Sequence, residues 1–155
     1  MMREGYDIVI DFDGTVVKHR YPAVGEDIGA APVLHKLVKN GCNLLLSTMR
    51  SRNSGGVDTL QPALDWFQKN DIPLYGINEN PSQKAWTSSP KVHGNIYIDD
   101  SALGAPLKIE NGEAFIDWNK TSLFLLVMGL LTEQDILDLI KEGVVTLDEN
   151  KKQKI

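Results

Sequence analysis

The stretch DIVIDFDGTVV, residues 7–17, is the most informative part of the chain for the fold. It begins with an apolar, β-branched run that is typical of a strand buried on both faces, and such strands belong to parallel sheets. The run ends in two carboxylates, Asp11 and Asp13, with Gly14 directly behind them. Open α/β sheets place their ligand crevice outside the carboxyl ends of their strands, so we expect these two acids to face a ligand.

Strand-length and helix-length patterns alternate along the rest of the chain. Apolar runs predict strands, and helical spacing with proline and glycine boundaries predicts the helices between them. This order predicts a Rossmann-like three-layer α/β/α sandwich with a mainly parallel sheet. The strands are expected at 6–10, 43–47, 74–77 and 95–98, the helices at 32–41 and 57–73, and a loop with about one helical turn at 78–94.

The C-terminal third carries different signals. Asn111-Gly112 lies between two short alternating segments and predicts a β-hairpin. A helix is expected from Thr121 to about Leu131, and Thr132 with Asp135 predicts a capping box for a helix over 133–141. We therefore expect one domain over residues 1–147, followed by a flexible tail at 148–155.

Composition limits the classes of partner. A net charge of −5 and an isoelectric point near 5.1 argue against nucleic-acid binding, because nucleic-acid binders usually carry a basic face. The single cysteine, Cys42, cannot form an intrachain disulfide, which favours a cytoplasmic location. The longest apolar run, residues 123–131, is about half of what a membrane span needs, so no membrane association is expected.

A second acidic pair ends the fourth predicted strand. Asp99 and Asp100 follow the run NIYI, while Ser47 and Thr48 follow the second strand. Carboxylates a few ångströms apart repel by roughly 4 kcal/mol at an effective dielectric near 20, and a hard divalent cation relieves that repulsion. Mg²⁺ binds one or two protein carboxylates together with waters and phosphate oxygens. The sequence thus predicts a Mg²⁺ and phosphate site at this edge of the sheet.

Four segments now resemble a known family. DFDGTVV, LLLSTMR, Lys91 and YIDD are similar, in this order, to the four motifs of the haloacid dehalogenase-like (HAD) superfamily. The resemblance implies a sheet of strand order 5-4-1-2-3 and a phosphatase that forms an aspartyl-phosphate. Asp13 argues against carbon–halogen chemistry, since the dehalogenases of the family lack an acid at that position. The chain has no room for a cap domain, so we expect a capless member with an open crevice.

The resemblance also implies roles for the acids. Asp11 would be the nucleophile and a metal ligand. Asp13 would act as general acid and then general base, and its backbone carbonyl would bind the metal. Asp99 would be a carboxylate ligand, with Asp100 a direct or water-bridged one.

The remaining positions of the resemblance concern phosphate. Thr48, and secondarily Ser47, would bind the transferring phosphoryl group, and Lys91 would neutralise its charge, with Lys84 as the rival lysine. Gly14 would let a ligand approach closely. Arg50 is a candidate substrate-binding residue. It opens the glycine-rich loop 50–57, which is either a solvated loop or an anion-binding rim.

Alternative functions stay open at the level of sequence. The expected substrate is a small-molecule phosphate ester, and a phosphotransferase of the same family would use the same residues. A receiver-like module would instead carry its phosphorylated acid after the third strand, where Glu79 is the nearest acid. A non-catalytic phosphate-binding module is a further reading, and a homo-oligomer could cover the open crevice.

Overall fold

The computed structural model describes residues 5–147, and these contain a four-stranded parallel sheet. The strands are β1 (Asp7–Ile10), β2 (Asn43–Leu46), β3 (Gly76–Ile77) and β4 (Ile96–Ile98). Their spatial order is β3-β2-β1-β4, so β1 lies inside the sheet, and the predicted parallel α/β sheet is confirmed. In the register, Ile8 pairs with Leu44 on one side and with Ile96 on the other.

Two more strands form a separate hairpin. β5 (Leu107–Glu110) and β6 (Glu113–Ile116) pair antiparallel with each other, and within residues 5–147 no fifth strand pairs with β4. The hairpin turn has positive φ at both Asn111 and Gly112, 50° and 79°, which is the backbone that an Asn-Gly pair favours. The predicted hairpin is therefore confirmed.

Between residues 5 and 147, four α-helices accompany the sheet: α1 (Ala30–Lys39), α2 (Leu60–Lys69), α3 (Trp118–Val127) and α4 (Glu133–Lys141). Their apolar residues form one buried core with Ile8 and Ile10 of β1. The predicted capping box at Thr132 is present, since its hydroxyl accepts from the Asp135 N–H and the Asp135 carboxylate accepts from the Thr132 N–H. Asn40, at the end of α1, donates to that same carboxylate and so joins α1 to α4.

The other face of the sheet is covered by residues 78–95, whose regular structure is a 3-10 helix at Pro81–Ala85. The buried Asn80 side chain donates to the Asp7 carboxylate and to the His93 carbonyl, which fixes this segment to β1. Gly94 lies so close to β1 that a Cβ there would come within 2.5 Å of the Val9 side chain. Residues 78–94 are therefore mostly loop with one short helical segment, as their pattern predicts.

The hairpin and α3 support the turn that follows β1. The Ile116 N–H donates to the Gly14 carbonyl over 3.0 Å, and the buried Trp118 ring N–H donates to the Thr15 carbonyl over 2.8 Å. These bonds fix the backbone on which the candidate site is built.

Over residues 5–147, no helix is long and apolar enough to cross a membrane, and Cys42 is a buried free thiol. The predicted tail, 148–155, lies outside the described residues.

Candidate functional site

Three carboxylates meet at the carboxyl ends of two neighbouring strands. Asp11 follows β1, and Asp99 and Asp100 follow β4; each offers one oxygen, and these atoms all lie within 4.8 Å of one another. The Asp11 N–H donates to the Ile98 carbonyl over 3.0 Å, which extends the β1–β4 pairing to the point where the acids begin. We call Asp11, Asp99 and Asp100 the acidic cluster.

The pKa of Asp11 is raised by its place in the acidic cluster. Burial, and then the negative charges of Asp99 and Asp100, raise the pKa of Asp11 from 3.8 to about 7, although hydrogen bonds from the Phe12 backbone and the Thr15 hydroxyl act in the opposite direction. Desolvation and like charges both disfavour a carboxylate anion. A cation placed among these oxygens would remove both penalties.

Thr15 ties the two halves of the acidic cluster together, a role that the sequence analysis did not assign. Its hydroxyl lies 2.9 Å from an Asp11 oxygen and 3.2 Å from an Asp100 oxygen, and it accepts the Asp100 N–H over 3.1 Å. Thr15 is fully buried. Because one hydroxyl contacts both acids, their separation is set by a rigid, buried residue.

His19 is a second residue of the site that the sequence analysis missed. Its Nε2 lies 2.9 Å from an Asp100 oxygen, while much of the imidazole stays exposed. Gly14, at φ +80°, packs against this pair, since a Cβ there would come within 2.1 Å of the His19 Nε2 and 2.4 Å of the Asp100 carboxylate. The predicted role of Gly14 is close approach by a ligand, but the close approach in the structure is by His19 and Asp100.

Asp13 does not join the acidic cluster through its side chain. Both of its oxygens accept from the Arg50 guanidinium, each over 2.7 Å. Arg50 is 1% exposed, and its other three N–H groups donate to the carbonyls of Pro22, Ala23 and Thr59. All five guanidinium donors are thus used within the protein.

This pairing changes the interpretation of Arg50. Arg50 is predicted to bind substrate, but its side chain is buried, fully bonded and absent from the lining of the cavity that opens over the acidic cluster. Arg50 therefore links Asp13 to the 20–23 segment and to the start of α2, and it fixes the position of the Asp13 carboxylate. The other arginine of the 50–57 loop, Arg52, pairs with Asp58 over 3.0 Å.

Thr48 lies where the sequence predicts it, in the same cavity as the acidic cluster. Its oxygen accepts the Arg50 backbone N–H over 3.1 Å, which leaves the hydroxyl hydrogen available to another acceptor. Its own N–H donates to the Asn78 side chain. Ser47 is not among the cavity-lining residues, and its N–H donates to the Ile10 carbonyl within the sheet.

Neither candidate lysine reaches the acidic cluster. The Lys91 amine lies 5.5 Å from the centre of the exposed Tyr97 ring, and Lys84 pairs with Glu79 over 3.1 Å. Neither lysine lines the cavity. Glu79, the acid that a receiver-like module would phosphorylate, is held by that ion pair and lies outside the acidic cluster. The charge-neutralising role expected of Lys91 is therefore not visible in this arrangement.

A cavity of about 530 Å³ opens over these groups. Its lining combines carboxylates with one hydroxyl-bearing threonine, one imidazole and two large exposed side chains, Tyr21 and Met49. Three carboxylates that offer oxygens alone fit a hard divalent cation such as Mg²⁺. The lining residues are Asp11, Asp13, His19, Tyr21, Thr48, Met49, Asp99, Asp100 and Ser101.

Comparison with known proteins supports the fold. The chain is similar to the solved structure of a conserved protein from Bacteroides thetaiotaomicron, with 27% sequence identity and a TM-score of 0.60. The match covers 86% of this chain and 98% of that one. No family model and no curated protein matches the chain. The likeness is therefore to an overall architecture, and the chemistry has to be argued from the site.

Proposed function

We propose that this protein is a Mg²⁺-dependent phosphohydrolase that acts on a phosphate monoester through an aspartyl-phosphate at Asp11. The observation that carries the proposal is the acidic cluster, in which a buried acid at the end of the central strand lies within 4.8 Å of two further carboxylate oxygens. The raised pKa of Asp11 supports the proposal, because burial and the neighbouring carboxylates disfavour its anion and a bound cation would favour it. Strongly shifted pKa values of buried acids beside other charged groups cluster at functional sites.

Asp11, Asp99 and Asp100 would hold the cation, together with the Asp13 backbone carbonyl that the family resemblance implies. Mg²⁺ would supply positive charge that offsets the phosphate and the acids, so that a dianionic ester can approach Asp11. Thr15 keeps Asp11 and Asp100 at a fixed separation, which pre-organises the ligand oxygens.

The covalent step takes place at Asp11. One of its carboxylate oxygens attacks phosphorus, the bond between phosphorus and the ester oxygen breaks, and the leaving alkoxide takes up a proton. Water then attacks the phosphorus of the aspartyl-phosphate, which releases inorganic phosphate and restores the carboxylate. Two modest displacements replace one difficult displacement by water.

Asp13 is the proposed proton donor to the leaving alkoxide and then the base for the water. Each of its oxygens accepts one Arg50 N–H and has a second lone pair, through which it can exchange a proton with the reacting group while the Arg50 bond is kept. Arg50 is fixed by three carbonyls and keeps Asp13 in one orientation in the meantime. Arg50 is thus a positioning residue for Asp13.

Thr48 is the proposed phosphoryl ligand. Since its oxygen already accepts the Arg50 backbone N–H, its hydroxyl hydrogen is directed to another acceptor, and a phosphoryl oxygen in the cavity would be that acceptor. The proposal assigns no role to Ser47, whose N–H donates to the Ile10 carbonyl within the sheet, nor to either lysine.

The family assignment belongs to this proposal. The order β3-β2-β1-β4 corresponds to four positions of the HAD order 5-4-1-2-3. The proposal treats the chain as a capless HAD-like enzyme, and a phosphotransferase of that family would use the same residues with an acceptor other than water.

Hydrolysis of 4-nitrophenyl phosphate by the full chain tests the proposal. We expect turnover with Mg²⁺, none in EDTA, and a loss of at least about a thousandfold in Asp11→Asn. Asp65→Asn is the matched control, because Asp65 is an exposed acid on α2. Turnover in EDTA, or Asp11→Asn at the wild-type rate, would contradict the proposal.

A further inference from the structure

Two large side chains lie exposed at the mouth of an otherwise acidic cavity. Tyr21 is 53% exposed and Met49 is 97% exposed, and both line the same cavity as the acidic cluster. Exposed apolar surface beside convergent polar groups is typical of a ligand site. The proposed hydrolysis uses neither residue, so their presence at this position needs a separate explanation.

The Tyr21 ring is held in place by the buried Arg50 side chain. The Arg50 guanidinium carbon lies 5.3 Å from the centre of the Tyr21 ring and 5.1 Å from the centre of the Phe12 ring. Arg50 cannot move with the ring, because all five of its donors are bonded. The Tyr21 ring therefore rests on a buried cation, and a ligand that stacks on it loses little further side-chain entropy.

Charge around the cavity limits the ligand further. Among the described residues that line it, none is a lysine or arginine. The arginines nearby in sequence are paired, Arg20 with Glu113 and Arg52 with Asp58. Any second phosphate on a substrate would have no lysine or arginine partner in the lining, which disfavours an anionic leaving group, while Tyr21 and Met49 offer apolar and stacking contacts.

We propose that the substrate is a monophosphate whose uncharged leaving group carries a planar ring, and that Tyr21 and Met49 bind this ring. The inference rests on the proposed phosphohydrolase function and gives it a substrate class. It makes Tyr21 a specificity-determining residue, since an aliphatic leaving group of equal size would gain apolar contact but no ring stacking.

A pair of esters tests the inference. Benzyl phosphate and cyclohexylmethyl phosphate both release a primary alcohol, and their leaving groups have similar size but differ in planarity. We expect kcat/KM for the benzyl ester to be higher by about fivefold in the wild type, because ring stacking contributes on that scale. The ratio should be kept in Tyr21→Phe, reduced in Met49→Ala and close to one in Tyr21→Leu.

Tyr75→Leu is the matched control, because Tyr75 is also exposed, at 41%, but lies outside the cavity lining. That variant should keep the fivefold ratio. A wild-type ratio near one, or a ratio that survives in Tyr21→Leu, would overturn the inference. Each ratio is taken within one protein, so a general loss of activity in a variant does not change it.

Binding of the matching phosphonates separates this inference from the hydrolytic proposal. Calorimetry with 2-phenylethylphosphonate and 2-cyclohexylethylphosphonate, in which a CH2 group replaces the ester oxygen, needs no turnover and no variant; it is done in the presence of Mg²⁺. We expect the phenyl compound to bind about fivefold more tightly. Equal affinities would overturn the inference even in an active enzyme, whereas a preference for the phenyl compound without ester hydrolysis would support it and refute the hydrolytic proposal.

Discussion

Replacement of Asp11 by Asn should stabilise the metal-free protein at high pH. The pKa of Asp11 is raised from 3.8 to about 7 in the fold, so the folded state holds a proton that the unfolded chain has already lost over that pH range. Stability therefore falls as pH rises from about 4 to about 7, and the full penalty is present above pH 7. The two pKa values correspond to a penalty of at most roughly 4 kcal/mol.

The variant removes this charge but weakens the hydrogen bond from Thr15, which offsets about 1 kcal/mol. We expect Asp11→Asn to be more stable than the wild type by about 1–3 kcal/mol at pH 8 in EDTA, and not more stable at pH 4. Urea unfolding at the two pH values measures the difference. Asp65→Asn, the exposed control, should change stability by less than about 0.5 kcal/mol at either pH.

Mg²⁺ reverses the comparison. At a concentration one hundredfold above its dissociation constant, a ligand stabilises the folded state by about 2.7 kcal/mol, and we expect this gain in the wild type alone. The reasoning would be refuted if Asp11→Asn lost stability equally at pH 4 and pH 8, or if Mg²⁺ stabilised it as much as the wild type.

Further predictions concern the surroundings of Asp11. Because Mg²⁺ binding displaces its proton below about pH 7, affinity in calorimetry should fall about tenfold per pH unit from pH 6.5 to 5; a pH-independent affinity would contradict this. Gly14→Ala should weaken Mg²⁺ binding by at least about tenfold, since its Cβ would displace a cluster carboxylate; unchanged affinity would contradict that geometry. Arg50→Ala should cost about 3–5 kcal/mol in urea unfolding, and a double variant with Asp13→Ala should cost less than the sum. Lys91→Ala should change turnover by less than roughly twofold, and a large loss would show that its amine moves to the site.

The parts of the fold that follow from local pattern could be predicted from the sequence. The Asn111-Gly112 turn and the Thr132 capping box depend on residues within a few positions of one another, and both are present. The meeting of Asp11 with Asp99 could also be predicted, because parallel neighbouring strands bring their carboxyl ends to one edge.

The parts that the sequence did not reveal depend on how loops fold back. His19 reaches Asp100 because the chain turns after β1, where the Phe12 carbonyl accepts from the N–H groups of Thr15 and Val16. The signal available in the sequence was a histidine shortly after a DxD pair, but no periodicity fixes the direction of such a loop. The pattern of a helix or strand predicts which residues share a face, whereas the length of a loop predicts only how far its residues can extend.

The ion pair between Asp13 and Arg50 could not be predicted from the sequence for a related reason. Arg50 lies four residues after the end of β2, a position that is equally compatible with a solvated rim and with a buried ion pair. What decides between them is the supply of three carbonyl acceptors, from Pro22, Ala23 and Thr59, on two separate segments. Burial of a guanidinium requires such partners, and they become visible only in the tertiary structure.

A crystal structure of the protein with Mg²⁺ and beryllofluoride tests the central claim most directly. The account predicts a cation bound by Asp11, Asp99 and Asp100, with the beryllium bonded to an Asp11 oxygen and Thr48 in contact with a fluoride. A cation at a different place, or beryllofluoride bonded to Glu79 or to no carboxylate at all, would contradict it.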